Sequence, residues 1–320
     1  MTNPRTWILV AVLLLLAAVP PLAAVFKEPF YLDLLRRVMI FAIAAVSLNL
    51  ILGYGGMVSF GHAAYLGIGA YAVGVLGYYG IDSGWLQWGL AIGASALVAA
   101  AIGSISVRAS GIYFIMITLA FTQMLYYLGI SIEEYGGDDG MRIKMRSQFS
   151  GLIDLNDPTA FYYLVLAILV LCLYLAQRLV NSRFGLVLQA ARSNEARTRA
   201  LGFSPYPYRL AAFVISGAMC GLAGALLVNQ TGYLTPDFMN WTRSGELMFM
   251  VILGGIATAS GPLLGAAALL LLEDVLQGWS LLPKWVHEHW QLYLGVILVL
   301  VVLFARRGLA GLLPGKERDV

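Results

Sequence analysis

Long apolar runs separated by short polar segments are the main pattern in this sequence. A helix of about 20 apolar residues, rising 1.5 Å per residue, is long enough to cross the hydrocarbon core of a bilayer. The pattern therefore predicts an all-α, polytopic transmembrane helical bundle. The predicted spans are 7–26, 38–56, 60–80, 86–107, 111–131, 160–179, 208–230, 245–258, 261–276 and 289–305.

Three of these runs leave the number of spans open. The runs 245–258 and 261–276 are short, and they can form two half-spans or one re-entrant pair, so we expect about eight to ten spans. The run 7–26 follows a single arginine, Arg5, and a cleaved signal peptide is the alternative interpretation. We favour a retained helix, because the run is long enough to span a bilayer and further spans follow.

Composition supports a membrane protein and excludes several other classes. Of the 320 residues, 60% are hydrophobic and 12% are charged, whereas soluble domains carry about 25% charged residues. We therefore treat 1–320 as a single transmembrane domain within a lipid bilayer. The net charge of +3 comes with no basic stripe, so no nucleic-acid partner is expected. Cys172 and Cys220 both lie in apolar runs, which argues against a disulfide.

Charge in the loops predicts the orientation, because Lys and Arg accumulate on the cytoplasmic side. With ten spans, the arginine-rich loop 180–207 is cytoplasmic and the acidic loop 131–159 is outside. Both termini are then cytoplasmic; the basic residues near the C-terminus are Arg306, Arg307, Lys316 and Arg318. Arg36 and Arg37 fall on the outer side and weaken the rule locally.

Two glycine-rich segments interrupt the predicted spans. The first break contains Gly53, Gly55, Gly56 and Gly61, and the second break contains Gly254, Gly255 and Gly261. Breaks at corresponding places in two inverted halves point to a transport site, so we predict an inverted internal repeat with a path between its halves. The alternative is that these glycines only allow close packing of helices.

Motifs of enzymes and ion pumps are missing from the sequence. The chain has no G-x-x-x-x-G-K-[ST] phosphate loop, no H-E-x-x-H and no catalytic constellation, so we predict a non-enzyme with no metal site of its own. Glu246, Glu273 and Asp274 lie near the ends of predicted spans. This scarcity of acids at mid-membrane argues against an ion-coupled secondary transporter, which is the alternative from a different functional class.

The loop 180–207 carries a candidate coupling element. A short helix is predicted over 185–201, ended by Gly202 and Pro205. The pair Glu195-Ala196, placed before Gly202 and flanked by Arg192 and Arg199, resembles the coupling segment of ABC importer permeases. Such a helix can sit in a groove of a separate ATPase and pass its movement to the spans. The alternative is an ordinary loop whose arginines only fix topology.

A wider resemblance favours the coupling interpretation. The segments 48–56, 59–71, 136–140, 213–226 and 254–265, in this order, look like the LivM-type permeases of branched-chain amino acid ABC transporters. The resemblance covers about residues 36 to 305. Tyr135 and Met141 depart from the usual family residues beside the double glycine of the outer loop, and neither puts a role in doubt.

The resemblance implies a permease subunit of an importer in the bacterial inner membrane. It implies a LivH-type second permease, two cytoplasmic ATPases that bind ATP and Mg²⁺, and a periplasmic binding protein received near Gly136–Gly140. The expected substrate is a branched-chain amino acid; related permeases serve urea, short amides or aromatic acids.

Polar residues inside the apolar runs are the candidates for the translocation path. Such residues tend to face the interior of a helix bundle, where they can contact a substrate. Any of them can instead hold two helices together through a hydrogen bond. The candidates are Asn49, Ser59, His62, Thr118, Thr122 and Gln123.

Overall fold

The computed structural model of the protein describes residues 4–26, 29–143, 145–149, 151, 153–278, 284–304 and 308–311. The basic residues from Arg306 to Arg318 on which the position of the C-terminus depends lie outside these ranges. Within them, the chain is almost entirely helical, as the hydrophobic pattern predicts.

The helices follow the predicted spans closely. The first part of the chain contains α1 (Pro4–Phe26), α2 (Pro29–Asn49), α3 (His62–Tyr78), α4 (Gly84–Ser106) and α5 (Ile112–Ser131). The second part contains α6 (Pro158–Val180), α7 (Arg183–Ser193), α8 (Glu195–Ala200), α9 (Pro205–Thr231), α10 (Trp241–Gly254), α11 (Gly261–Gly278), α12 (Lys284–Glu288), α13 (Trp290–Phe304) and α14 (Gly308–Gly311). Every predicted span therefore coincides with a helix.

The long outer loop is tied to the second part of the chain by a small sheet. Strand β1 (Met141–Arg142) pairs antiparallel with β2 (Tyr233–Leu234). Short 3₁₀ turns at Glu133–Tyr135 and Pro236–Met239 flank this sheet along the chain.

Among the residues that the structure describes, six helices are long and apolar enough to cross a membrane: Phe30–Tyr54, Gly84–Ser106, Ile112–Ser131, Pro158–Val180, Pro205–Thr231 and Gly261–Gly278. Three further helices at predicted spans are shorter in the described residues: α3 has 17 residues, α10 has 14 and α13 has 15. A helix of 14 residues is about 21 Å long, which is less than the hydrocarbon thickness of about 30 Å. The protein is thus a polytopic helical membrane protein in which α3 and α10 are shorter than a full span.

Helices α2 and α9 form the centre of the bundle and contact each other. Helix α9 packs against α3 and α4, while α2 packs against α10 and α11. Helix α9 therefore contacts the two helices that follow α2, and α2 contacts the two helices that follow α9. Large side chains such as Tyr65 of α3 and Phe213 of α9 are fully buried in this core.

Glycines allow the backbones of α9 and α3 to come into direct contact. A Cβ atom at Gly224 would collide with the carbonyl oxygen of Leu66, and one at Gly69 would collide with the carbonyl oxygen of Gly221. Close approach through small residues is how membrane helices gain packing energy in the absence of a hydrophobic drive between them. For these glycines, the packing interpretation is therefore sufficient.

The packing predicts that Gly224→Ala destabilises the chain. The added methyl group would force α9 away from α3, and overpacking of this kind costs about 1–3 kcal/mol. The midpoint of thermal unfolding of the purified protein in detergent should fall. Gly93→Ala in α4 is the matched control, because nothing lies within 4 Å of a Cβ there; an unchanged midpoint in Gly224→Ala would contradict the close approach.

Candidate functional site

The first break begins as a distortion of α2. After Asn49 the helix widens into one π-helical turn, Leu50–Tyr54, and the chain turns at Gly56, whose φ of +68° suits glycine. The amide of Met57 donates to the carbonyl oxygen of Ile51 at 2.9 Å and closes the turn. Regular helix resumes at His62, so a non-helical segment separates α2 from α3. Single π-helical turns are frequent at functional sites.

Asn49 joins the first break to the second. Its Oδ1 atom accepts from the amide of Ala257 at 3.0 Å, and its Nδ2 atom donates to the carbonyl oxygen of Thr258 at 3.0 Å. Ala257 has a positive φ of 59°, which is uncommon for a residue other than glycine. The side chain of Thr258 closes the second break by bonding to Gly255 and Gly261. One amide side chain thus holds two backbone segments from distant parts of the sequence.

The structure brings the two glycine clusters together, because α2 and α10 both reach the place where Asn49 meets Ala257. In transporters with inverted repeats, broken helices from the two halves meet near the middle of the membrane. That the two clusters occupy corresponding places in two inverted halves stays a prediction.

Side chains from α5 and α10 form hydrogen bonds with the backbone amide and carbonyl groups where α3 begins. The amide of Phe60 donates to Thr118, and its carbonyl oxygen accepts from Thr122 at 3.2 Å and from Ser244 at 2.7 Å. The hydroxyl of Ser244 also accepts from the amide of Ala63 at 2.9 Å. Ser59 accepts from the amide of Gly61 within the break. In an apolar medium, these groups need such partners.

His62 lies in a fully buried polar chain next to this point. Its Nε2 atom lies 2.7 Å from the hydroxyl of Ser216 in α9, and Ser216 bonds to the carbonyl oxygen of Ser47 in α2. The rings of Tyr65 and Phe213 meet the imidazole edge-on. His62 thus connects the first turn of α3 to both central helices.

The predicted path residues are buried, with the partial exception of Gln123. Within the described part of the chain, the Nδ1 atom of His62 and the Oε1 atom of Gln123 are buried without a hydrogen-bond partner. The hydrogen bonds of the other candidates are to protein groups that hold the breaks in place. Whether these residues also line the path stays a prediction.

Ser47, Ser216 and Ser244 belong to this network, and sequence reasoning missed them. Serine in a helix commonly bonds to a carbonyl of its own helix, so its presence in an apolar run is a weak signal.

The predicted coupling element consists of two helices instead of one. Asn194 separates α7 from α8, and its side chain caps α8 by accepting from the amide of Arg197 at 2.9 Å. Ala196 is exposed, and so is Gly202, which has a φ of +88° and follows the end of α8. Asparagine is a preferred N-cap residue, so Asn194 is the signal in the sequence that predicts the division into two helices.

Glu195 attaches α8 to the start of α9. Its carboxylate lies 2.8 Å from Arg209 and 2.5 Å from Arg199. Partial burial acts to raise the pKa of Glu195, but the hydrogen bonds and charges of the two arginines outweigh it, so the pKa lies below its ordinary value. The stabilisation from this pairing is therefore present above the ordinary pKa and is lost as the pH falls through the lowered value.

Arg192, at the end of α7, reaches the first break directly. Its guanidinium donates a hydrogen bond to the carbonyl oxygen of Gly53 in the π-helical turn. The two-helix loop and the first break are therefore in contact, which the sequence did not indicate.

A bundle of apolar helices with broken spans and a charged helical loop at one end is the architecture of a transport permease. The family described as "Branched-chain amino acid transport system / permease component" matches residues 30–303. The chain belongs to this family, and the predicted resemblance is confirmed.

Named relatives agree with the family. The high-affinity branched-chain amino acid transport system permease protein LivM of Salmonella typhimurium is 28% identical, over 87% of this chain and 69% of that protein. The corresponding permease LivH of Escherichia coli is 24% identical, over 85% of this chain and 91% of that protein. The autoinducer 2 import system permease LsrC of Yersinia pseudotuberculosis is 27% identical, over 69% of this chain and 64% of that protein. None of the solved structures compared with this chain matches it.

The joined breaks predict that Asn49→Ala destabilises the protein. The change leaves the amide of Ala257 and the carbonyl of Thr258 without these partners, and an unsatisfied buried polar group costs about 1–3 kcal/mol. Thermal unfolding in detergent should show a lower midpoint. Asn181→Ala, which removes one exposed bond to Gln177, is the control; equal midpoints in the two variants would contradict a linking role for Asn49.

Proposed function

We propose that this chain is the permease subunit of an ATP-binding cassette importer that carries branched-chain amino acids across the bacterial inner membrane. The observation that carries this proposal is the α7–α8 loop, which is fixed to α9 through Glu195 and Arg209 and to the first break through Arg192. A loop fixed in this way can transmit a force to the helices. The family and the names of the LivM and LivH relatives support the substrate class.

ATP hydrolysis belongs to separate subunits in this proposal. The sequence contains no phosphate loop, so ATP and Mg²⁺ would bind to two cytoplasmic ATPases that receive α7 and α8. The chain itself then needs no cofactor and catalyses no reaction.

The other partners follow from the same scheme. A second permease of the LivH type would complete the path, and this chain is similar to permeases of both the LivM and LivH kinds. A periplasmic binding protein would deliver the substrate near Gly136–Gly140, beside the small sheet of β1 and β2.

The orientation places α7 and α8 in the cytoplasm and the acidic loop 131–159 outside. Arg192, Arg197 and Arg199 of the two-helix loop support it, because cytoplasmic loops carry the excess of basic residues. The orientation is tested together with the coupling loop, since α8 must face the side that holds the ATPases.

We also propose an inverted repeat, with α2, α3 and α4 in one half and α9, α10 and α11 in the other. The reciprocal packing supports it, because α9 contacts α3 and α4 while α2 contacts α10 and α11. Helices α3 and α10, both shorter than a full span, are then equivalent.

An ion-coupled transporter remains the rival of another class. It needs an acid free to bind an ion within the spans. Glu246 in α10 is instead paired with Arg243 at 2.9 Å. Glu273 and Asp274 lie toward the end of α11 rather than at mid-membrane, and these positions favour the importer. Within the family, urea, short amides or aromatic acids are the alternative substrates, and LsrC is named for autoinducer 2 import.

Uptake of leucine tests the function. Proteoliposomes that contain the chain, its partner permease, the ATPases and the binding protein should accumulate leucine when ATP is supplied, with competition from valine and isoleucine but not from urea. Omission of this chain should reduce uptake to background. Unchanged uptake without the chain would remove the assignment, and ion-driven uptake by the chain alone would favour the rival.

The coupling loop predicts that Glu195→Ala lowers ATP-dependent uptake roughly fivefold, equivalent to about 1 kcal/mol of lost contact between α8 and α9. Gly202→Arg should act in the same direction, because a positive φ costs a residue other than glycine about 1–2 kcal/mol. Insertion into the membrane should be retained in both. Arg197→Ala, on the same helix but without a bond to α9, is the control, and full uptake in both test variants would contradict the coupling assignment.

A further inference from the structure

A small cavity lies against the first break at the end of the bundle that carries α7 and α8. Its volume is about 110 Å³. Its lining includes the break itself, from Gly55 to Val58, together with Ser110 and Phe114 where α4 connects into α5. Arg209 at the start of α9 completes the lining.

The position of Arg209 depends on the α7–α8 loop. Its two terminal nitrogens reach this loop, one lying 2.8 Å from the Glu195 carboxylate and the other donating to the carbonyl oxygen of Ala191 at 3.1 Å. The side chain of Arg209 is only 17% exposed, so it has little freedom to move independently. A displacement of α7 and α8 would therefore move this part of the cavity lining.

The α7–α8 loop also holds the part of the lining that belongs to the first break. Arg192 bonds to the carbonyl oxygen of Gly53, and its aliphatic part packs against Gly56, where a Cβ atom would lie 2.8 Å from the Cγ atom of Arg192. Gly56 is itself a lining residue. Gly56 lies in the non-helical segment before α3, so a shift there does not break the hydrogen-bond ladder of α3.

We infer that Arg192 and Arg209 are positioning residues through which the α7–α8 loop opens and closes this cavity as the cytoplasmic mouth of the translocation path. The inference rests on the proposed function, because the force on α7 and α8 comes from the ATPases. Arg192 connects the loop to the break, and Arg209 is a lining residue that the loop holds. A displacement of α7 and α8 therefore moves both relative to Ser110 and Phe114 of the α4–α5 connection, and this changes the width of the cavity. If Arg192 and Arg209 only stabilised the loop, the width of the cavity would not depend on whether nucleotide is bound to the ATPases.

The test measures access to the cavity in the assembled transporter. Ser110, an exposed lining residue, is changed to cysteine in a chain carrying Cys172→Ala and Cys220→Ala. A membrane-impermeant maleimide is added from the ATPase side, without nucleotide and with ATP and vanadate. The labelling rate at position 110 should differ between the two states, and Arg192→Gln or Arg209→Gln should abolish the difference.

Arg197→Gln is the matched control, because it removes the same charge from the same loop without touching the cavity, and it should keep the difference. Co-purification with the ATPases establishes that each variant assembles. If Arg209→Gln does not assemble, Glu195→Gln, which leaves Arg209 in place and weakens its attachment, should reduce the difference instead.

Two results overturn the inference: no nucleotide-dependent labelling in the parent, or the same dependence in Arg192→Gln and Arg209→Gln as in Arg197→Gln. Failure of the substrate assignment is distinguishable, because labelling needs nucleotide and no amino acid. A parent that labels as expected but does not import leucine would retain the cavity mechanism and lose the substrate.

Discussion

In a lipid bilayer, a peptide group that leaves the helical ladder must find its partner within the protein, because no water is available. The breaks in this bundle are possible only where neighbouring helices supply that partner. Thr118, Thr122 and Ser244 serve the first break, and Asn49 serves the second. The position of each break therefore fixes which helices must pack beside it, and α2, α5 and α10 are held together for this reason.

The same constraint explains how a broken region can still be mechanically useful. A regular helix resists local change, whereas the segment from Gly55 to Gly61 is held by side chains that can exchange partners. The α7–α8 loop contacts the π-helical turn at Gly53 and the non-helical segment at Gly56, rather than a regular α-helix. In the proposed importer, this arrangement places a segment that tolerates a small displacement next to the loop that would receive force from the ATPases.

Sequence reasoning predicted the helices well and the relationships between them poorly. Every predicted span coincides with a helix, because apolar length alone identifies it. The contact between the two breaks through Asn49 was not predicted, since glycine content does not say where in the bundle a break lies. The single coupling helix proved to be two, although Asn194 is a cap residue that predicts the division. For Ser59 and Thr118, polarity predicted burial but not whether the partner would be a substrate or the backbone.

What the sequence by itself determined is that this is a helical membrane protein of the branched-chain amino acid permease family, with a basic helical loop between α6 and α9. These properties depend on the transfer energy and local preferences of each residue, which adjacent positions reveal. Only the tertiary structure decided that Asn49 bonds to Thr258, 209 positions away, and that Arg192 reaches Gly53. Such contacts depend on how whole helices pack, and the identity of a side chain does not show which distant residue it will contact.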